Sequence, residues 1–203
     1  YETILDEPDS LRIQELSTIR QQVSENLEDF LKESTNQEVI DAVTKAMTNP
    51  QTKFVELGFR VPSLMNYWSK NGFDSASGYD INPLNIAVCK KLGWDVHTGD
   101  LNTGEGFDFS GVGLVVAYHV LEHVYDPFES LKILNKLMDP GTMFHVEVPI
   151  EPGVPRLKYG HLFPFESGDL QHMLIDAGFV PISYSNIPHS GGPAIERILA
   201  VSK

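Results

Sequence analysis

The sequence predicts an α/β protein built on a doubly wound, mostly parallel seven-stranded sheet, with an antiparallel last strand and N-terminal helices. Three observations predict it. From residue 53 onward, short apolar runs alternate with helix-period segments, the pattern of strands joined by crossover helices. GVGLVVAY, residues 111 to 118, is almost wholly apolar, as a central strand covered on both faces must be. The last two runs, FVPISYS and ERILAVS, are joined by a connection rich in Gly and Pro with no room for a helix, so they should pair antiparallel.

The elements follow in order. Residues 1 to 50 carry apolar stripes at helical spacing, Leu16, Ile19, Val23, Leu27, Phe30 and Leu31, then Val39, Ile40, Val43 and Met47. They read as two or three amphipathic helices forming a cap segment apart from the domain at 51–203, although packing or a dimer surface would require the same stripes. KFVELGF is the first strand, and PSLMNYWSKNG a helix with Pro62 in its first turn and Gly72 at its end. SASGYDI is the second strand. The helix NPLNIAVCKKLG follows it, capped by Asn82, with Pro83 first and Leu84, Ala87, Val88 and Leu92 on one face. DVHTGDL is a short third strand. After the central strand, Asp126 caps a helix that begins at Pro127 and is stopped by DPG at 139 to 141. GTMFHVEVPI is the fifth strand, and ESGDLQHMLIDAG a helix with Leu170, Met173, Leu174 and Ala177 inward and Gly178 as its stop.

Composition narrows the function classes. With 28 Asp+Glu against 15 Lys+Arg, the net charge is −13, and no run of basic residues gathers on one segment. Such a chain repels phosphate backbones, so nucleic acid is not an expected partner. No apolar run is long enough to span a bilayer, and Cys89 is the sole cysteine, so a reducing, cytoplasmic setting without membrane contact is expected. The chain opens at Tyr1 with no signal-peptide pattern behind it, which leaves open whether the numbering starts inside a longer chain.

The chemistry should lie where strands end. In open α/β sheets, ligands bind beyond the carboxyl ends of strands, where glycine lets the backbone approach them. Gly58 holds that place in ELGFRVPS, and Asp80 ends the second strand at about the spacing from which a carboxylate accepts hydrogen bonds from ribose hydroxyls. Asp100 ends the third. Asp also ends strands because it suits turns, so it is the ordered set that points to a nucleoside.

On these residues the chain resembles the class I S-adenosylmethionine-dependent methyltransferases, in particular their small-molecule group, over about residues 53 to 203. The resemblance rests on ELG at 56 to 58, GYD at 78 to 80, GDL at 99 to 101, HVLEHVYDP at 119 to 127, and HLFPF with DLQHMLIDAGF at 161 to 179. It implies a Rossmann-like sheet and S-adenosylmethionine as cofactor. Asp80 with Ile81 would hold the ribose, Asp100 with Leu101 the adenine, and the turn from Glu56 through Gly58 to Arg60 the methionine moiety. Tyr118 and His119 would face cofactor or acceptor. The first turn departs from the family's E/D-x-G-x-G-x-G, with Arg60 and Pro62 in place of the later glycines. Arg60 either pairs with the cofactor's carboxylate, as a planar guanidinium does well, or faces solvent or Glu56.

HVLEH also matches the H-x-x-E-H pattern of inverted zinc peptidases. That pattern needs both histidines mid-helix, whereas a buried strand runs directly into His119. Glu122 and His123 are therefore assigned to the turn before Asp126, and no metal ligand is assigned. The acceptor should lie under two loops, PIEPGVPRLKYGHLFPF and NIPHSGGPAI. His161 is the first choice of general base and His119 the second, since methyl transfer to a hydroxyl needs positioning and removal of a proton. Arg156 and Lys158 favour an anionic small-molecule acceptor, or belong to a solvated loop with Tyr159; His189 lies in the second loop. The expected activity is methyl transfer to an oxygen or nitrogen of that acceptor. The alternatives are a scaffold of the same fold that has lost the cofactor, and a zinc hydrolase.

Overall fold

The computed structural model describes residues 53–59, 64–65, 69, 75–91, 93–155, 160–188 and 192–203. The expected cap segment at 1–50, together with Arg60, Pro62, Arg156, Lys158, Tyr159 and His189, lies outside the described residues.

Seven strands form one sheet: β1 (Lys53–Leu57), β2 (Ala76–Asp80), β3 (Val96–Thr98), β4 (Val112–Tyr118), β5 (Met143–Ile150), β6 (Val180–Ile187) and β7 (Ala194–Val201), in spatial order β3-β2-β1-β4-β5-β7-β6. The first five run parallel, and β7 is antiparallel to both β5 and β6. The apolar run is the middle strand.

Alternation along the strands divides the core into two layers. Val55 and Leu57 of β1, and Val115 and Ala117 of β4, face a layer with Leu131 and Leu134 of α2 (Pro127–Leu137) and Leu170 and Leu174 of α3 (Asp169–Asp176). Phe54, Leu114 and Val116 face the other, with Met65 and with Ile86 and Cys89 of α1 (Pro83–Lys91). Each buried Leu or Ile contributes about 1.5–3 kcal/mol, and covering both faces is what makes these strands read as continuous apolar runs.

Helix starts follow local rules. Asn82 Oδ1 accepts from the Leu84 amide at 2.9 Å, and Asp126 Oδ1 from the Glu129 amide at 3.0 Å with Pro127 behind it. Of the stripe expected on α1, Val88 is buried, Leu84 and Ala87 are half-buried and Leu92 lies outside the described residues, while Asn85, Ile86 and Cys89 are buried instead. Asn85 donates to the Asp80 carboxylate at 3.1 Å, and that polar tie turns the helix toward the strand end.

Candidate functional site

The strand order reverses between β1 and β4, the place where open α/β sheets bind ligands. A cavity of about 660 Å³ opens there. It brings together Gly58, Asp80, Ile81, Asp100, Leu101, Tyr118 and His119 of the expected set. Gly58 has φ +65°, and a Cβ on it would lie 2.6 Å from Val120 Cγ2, so both conformation and space demand glycine. Glu56 does not line the cavity. It is buried, accepts from the Met65 amide at 3.2 Å, and burial pushes its pKa up to about 8 despite that bond.

The two acidic strand ends are oriented from within. Asp80 accepts from the Asn82 amide at 2.7 Å on Oδ1 and from Asn85 on Oδ2, fixing a carboxylate whose remaining lone pairs suit a diol. Asp100 Oδ1 accepts from the Asn102 amide at 2.8 Å and from its side chain at 2.9 Å, while Asn102 Oδ1 accepts from the Tyr125 amide at 2.9 Å. Asn82, Asn85, Asn102, Phe107 and Val120 also line the cavity, and sequence reasoning assigned none of them to it. The asparagines in NPLN and GDLN, immediately behind the two aspartates, were the available signal.

His119 follows the last residue of β4 with φ +53°, the one non-Gly residue in the left-handed region among the described residues, a conformation that clusters at functional sites. Its ring bridges two acids, Nε2 to Glu147 at 2.9 Å and Nδ1 to Glu122 at 3.3 Å. These two carboxylates outweigh burial and raise its pKa to about 10, so the ring is an imidazolium near neutrality and a poor proton acceptor. Glu147 is buried, and burial alone would raise its carboxyl. His119 and Arg197, whose Nε lies 2.7 Å from Glu147 Oε2, instead hold it low. Beneath them the Tyr118 hydroxyl bonds His145, whose ring burial lowers to about 3.

Residues 119 to 123 do not form the peptidase helix. Leu121–His123 is a single 3₁₀ turn, and His119 stands before it in a left-handed conformation. Glu122 and His123 lie in the turn before Asp126, and from there His123 also lines the cavity. The Glu122 carbonyl accepts from the amides of Leu162 and Phe163 at 2.7 and 3.1 Å, which pins the GHLFPF loop onto this turn. His161 is thereby brought against His123, ring centroids 4.9 Å apart, with its Nδ1 2.6 Å from the buried Glu151.

No protein-family model and no curated protein matches the chain. Solved structures do. A putative sarcosine dimethylglycine methyltransferase from Galdieria sulphuraria superimposes with a TM-score of 0.66 at 12% identity, over 81% of this chain and 82% of that one. Magnesium protoporphyrin IX methyltransferase from Synechocystis with bound S-adenosylhomocysteine gives 0.64 at 16%, over 85% and 84%. The [4+2]-cyclase SpnF gives 0.65 at 12%, over 90% and 82%. The sheet order and these likenesses define the class I S-adenosylmethionine-dependent methyltransferase fold. At such identities the likeness extends to the fold, and one protein that shares it is a cyclase.

Proposed function

We propose that the chain transfers a methyl group from S-adenosylmethionine to an oxygen or nitrogen of a small molecule. The observation that carries this reading is the convergence of the Gly58 turn, Asp80 and Asp100 on one cavity at the strand-order reversal. Two observations support the cofactor here: a glycine whose Cβ position is filled by Val120 gives backbone access, and two oriented carboxylates on the cavity rim offer acceptors to ribose hydroxyls and an adenine amino group. When bound, S-adenosylmethionine supplies an electrophilic methyl group on a sulfonium.

In this reading Asp80 and Asp100 hold the nucleoside, with Ile81 and Leu101 as apolar walls, and Tyr118 and His119 close the floor toward the methyl. His119 positions rather than deprotonates. The acceptor's proton goes to His161, with Glu151 stabilising the imidazolium that forms. Residues 1–50 would cover the acceptor, and the basic residues Arg156 and Lys158 would favour an anionic one. Cys89, buried and with its thiol pushed up to about 11 by burial, takes no part.

Isothermal titration with S-adenosylmethionine and S-adenosylhomocysteine tests this. One equivalent of each should bind, and Asp80→Ala should weaken both at least about tenfold while leaving the thermal midpoint within a few degrees. Absence of binding to either would favour the cofactor-free scaffold.

A further inference from the structure

The HVLEH turn carries a group that methyl transfer does not use. The Glu122 side chain is 1% exposed, and neither carboxylate oxygen receives a hydrogen bond among the described residues; the nearest cation is His119 Nδ1 at 3.3 Å. His119 is shared with Glu147, so this buried carboxylate has one long ion pair for two oxygens and keeps acceptor capacity that a second cation would satisfy. Ligand atoms of Glu122, His123 and His161 lie within 4.8 Å of one another.

We propose that Glu122, His123 and His161 bind a divalent transition-metal ion of the zinc and cobalt type beside the cavity. Two imidazoles and one carboxylate are a borderline-soft set, which suits zinc or cobalt better than magnesium or calcium. Three protein ligands leave a coordination position open, as catalytic rather than structural sites do. Each ligand also has the outer partner that metal sites use for orientation. His123 Nδ1 donates to the Gly160 carbonyl at 3.1 Å and His161 Nδ1 lies 2.6 Å from Glu151, contacts that orient both rings and leave Nε2 as the nitrogen a metal would take. Glu122 is held by His119. Ligand atoms around zinc at about 2 Å sit closer together than 4.8 Å, so small side-chain rotations complete the site. The charges nearby favour a cation: Glu122 and Glu147 share His119, Glu147 also pairs with Arg197, and the buried Glu151 faces His161 itself. The residues are those of the H-x-x-E-H run, but the ligand set differs, because the strand end removes His119 and the loop supplies His161.

An open position beside the cavity would take an acceptor with neighbouring oxygens, such as a vicinal diol or a hydroxy acid. Acceptor binding at the metal rests on the methyl-transfer reading, in which His161 would then be a ligand rather than a base; the cation site itself does not.

The test uses the full chain, stripped with chelator and titrated with Co(II), read by its visible d–d absorption, and with Zn(II), read by calorimetry, with Mg(II) as control. One equivalent of Co(II) should bind with a four- or five-coordinate spectrum that Zn(II) displaces and Mg(II) does not. His123→Ala, at an exposed side chain, and Glu122→Gln should each weaken binding at least about tenfold, and His172→Ala, at an exposed histidine on α3, should not. Melting curves confirm folding, and if Glu122→Gln fails to fold, His123→Ala decides. No Co(II) binding, an octahedral hydrated spectrum only, or unchanged affinity in His123→Ala would overturn the site. S-adenosylhomocysteine titration of the same stripped protein reports separately on the methyl-transfer reading.

Discussion

Gly58 and Glu56 show how much two neighbouring residues on one strand end can differ in what they need. Ala at position 58 meets a left-handed backbone and the Val120 side chain together, so Gly58→Ala should cost about 1–3 kcal/mol by urea unfolding and more than tenfold in S-adenosylhomocysteine affinity. Unchanged affinity would show that the turn does not approach the cofactor. Glu56 makes its prediction through pH. Its folded pKa of about 8 exceeds the ordinary 4.5, so the folded chain keeps a proton that the unfolded chain releases. Stability from this group is full below about pH 4.5 and falls as pH rises to about 8, by up to roughly 1.4 kcal/mol per unit. Glu56→Gln keeps an acceptor for the Met65 amide and should flatten that decline in urea titrations of the cofactor-free protein. A slope unchanged from wild type would place the titration elsewhere. At this scale the sequence announced what is local: Asn82 and Asp126 as caps, Gly58 as the turn glycine. It did not announce the His119 and Glu147 pair, because Glu147 reaches His119 only through the register that sets Tyr118 beside Glu147 across β4 and β5.

Elements carry those long-range meetings. Strand β7 delivers Arg197 to the far side of Glu147, so the floor of the site is held by three strands, β4, β5 and β7. Removing one partner strands a buried charge, and Arg197→Ala should destabilise by about 3–5 kcal/mol. The double variant Glu147→Gln with Arg197→Met should lose clearly less than the sum of the two single changes. Additive losses in the unfolding cycle would mean that the pair is not coupled. Every described strand was legible from apolar runs and turn residues, including the antiparallel final pair, whose connection was too short for anything else. The face of α1 was not. Its apolar stripe is weak, and the contact that sets its rotation is polar, from Asn85 to Asp80, which hydrophobic periodicity does not detect. The loop holding His161 was legible as a loop, but its seat on the Glu122 carbonyl depends on tertiary contact.

Across the whole molecule, the strand order β3-β2-β1-β4-β5-β7-β6 sets the carboxyl ends of β1, β2, β3 and β4 around one cavity, with β5 supplying Glu147 and, just past its end, Glu151. That arrangement explains why acidic residues far apart in sequence meet, and why the chain keeps the fold while its first turn departs from the usual glycine pattern. In the proposed reading the ribose and adenine ends of the cofactor would meet Asp80 and Asp100, and the methionine end would fall to the turn after β1. A crystal structure grown with S-adenosylhomocysteine reads this directly. Density should show the ribose hydroxyls on Asp80, the adenine beside Asp100 and Leu101, and the sulfur directed toward His119. An empty cavity under saturating ligand, or one filled by the side chains of the altered turn with Asp80 and Asp100 facing apart, would contradict the account.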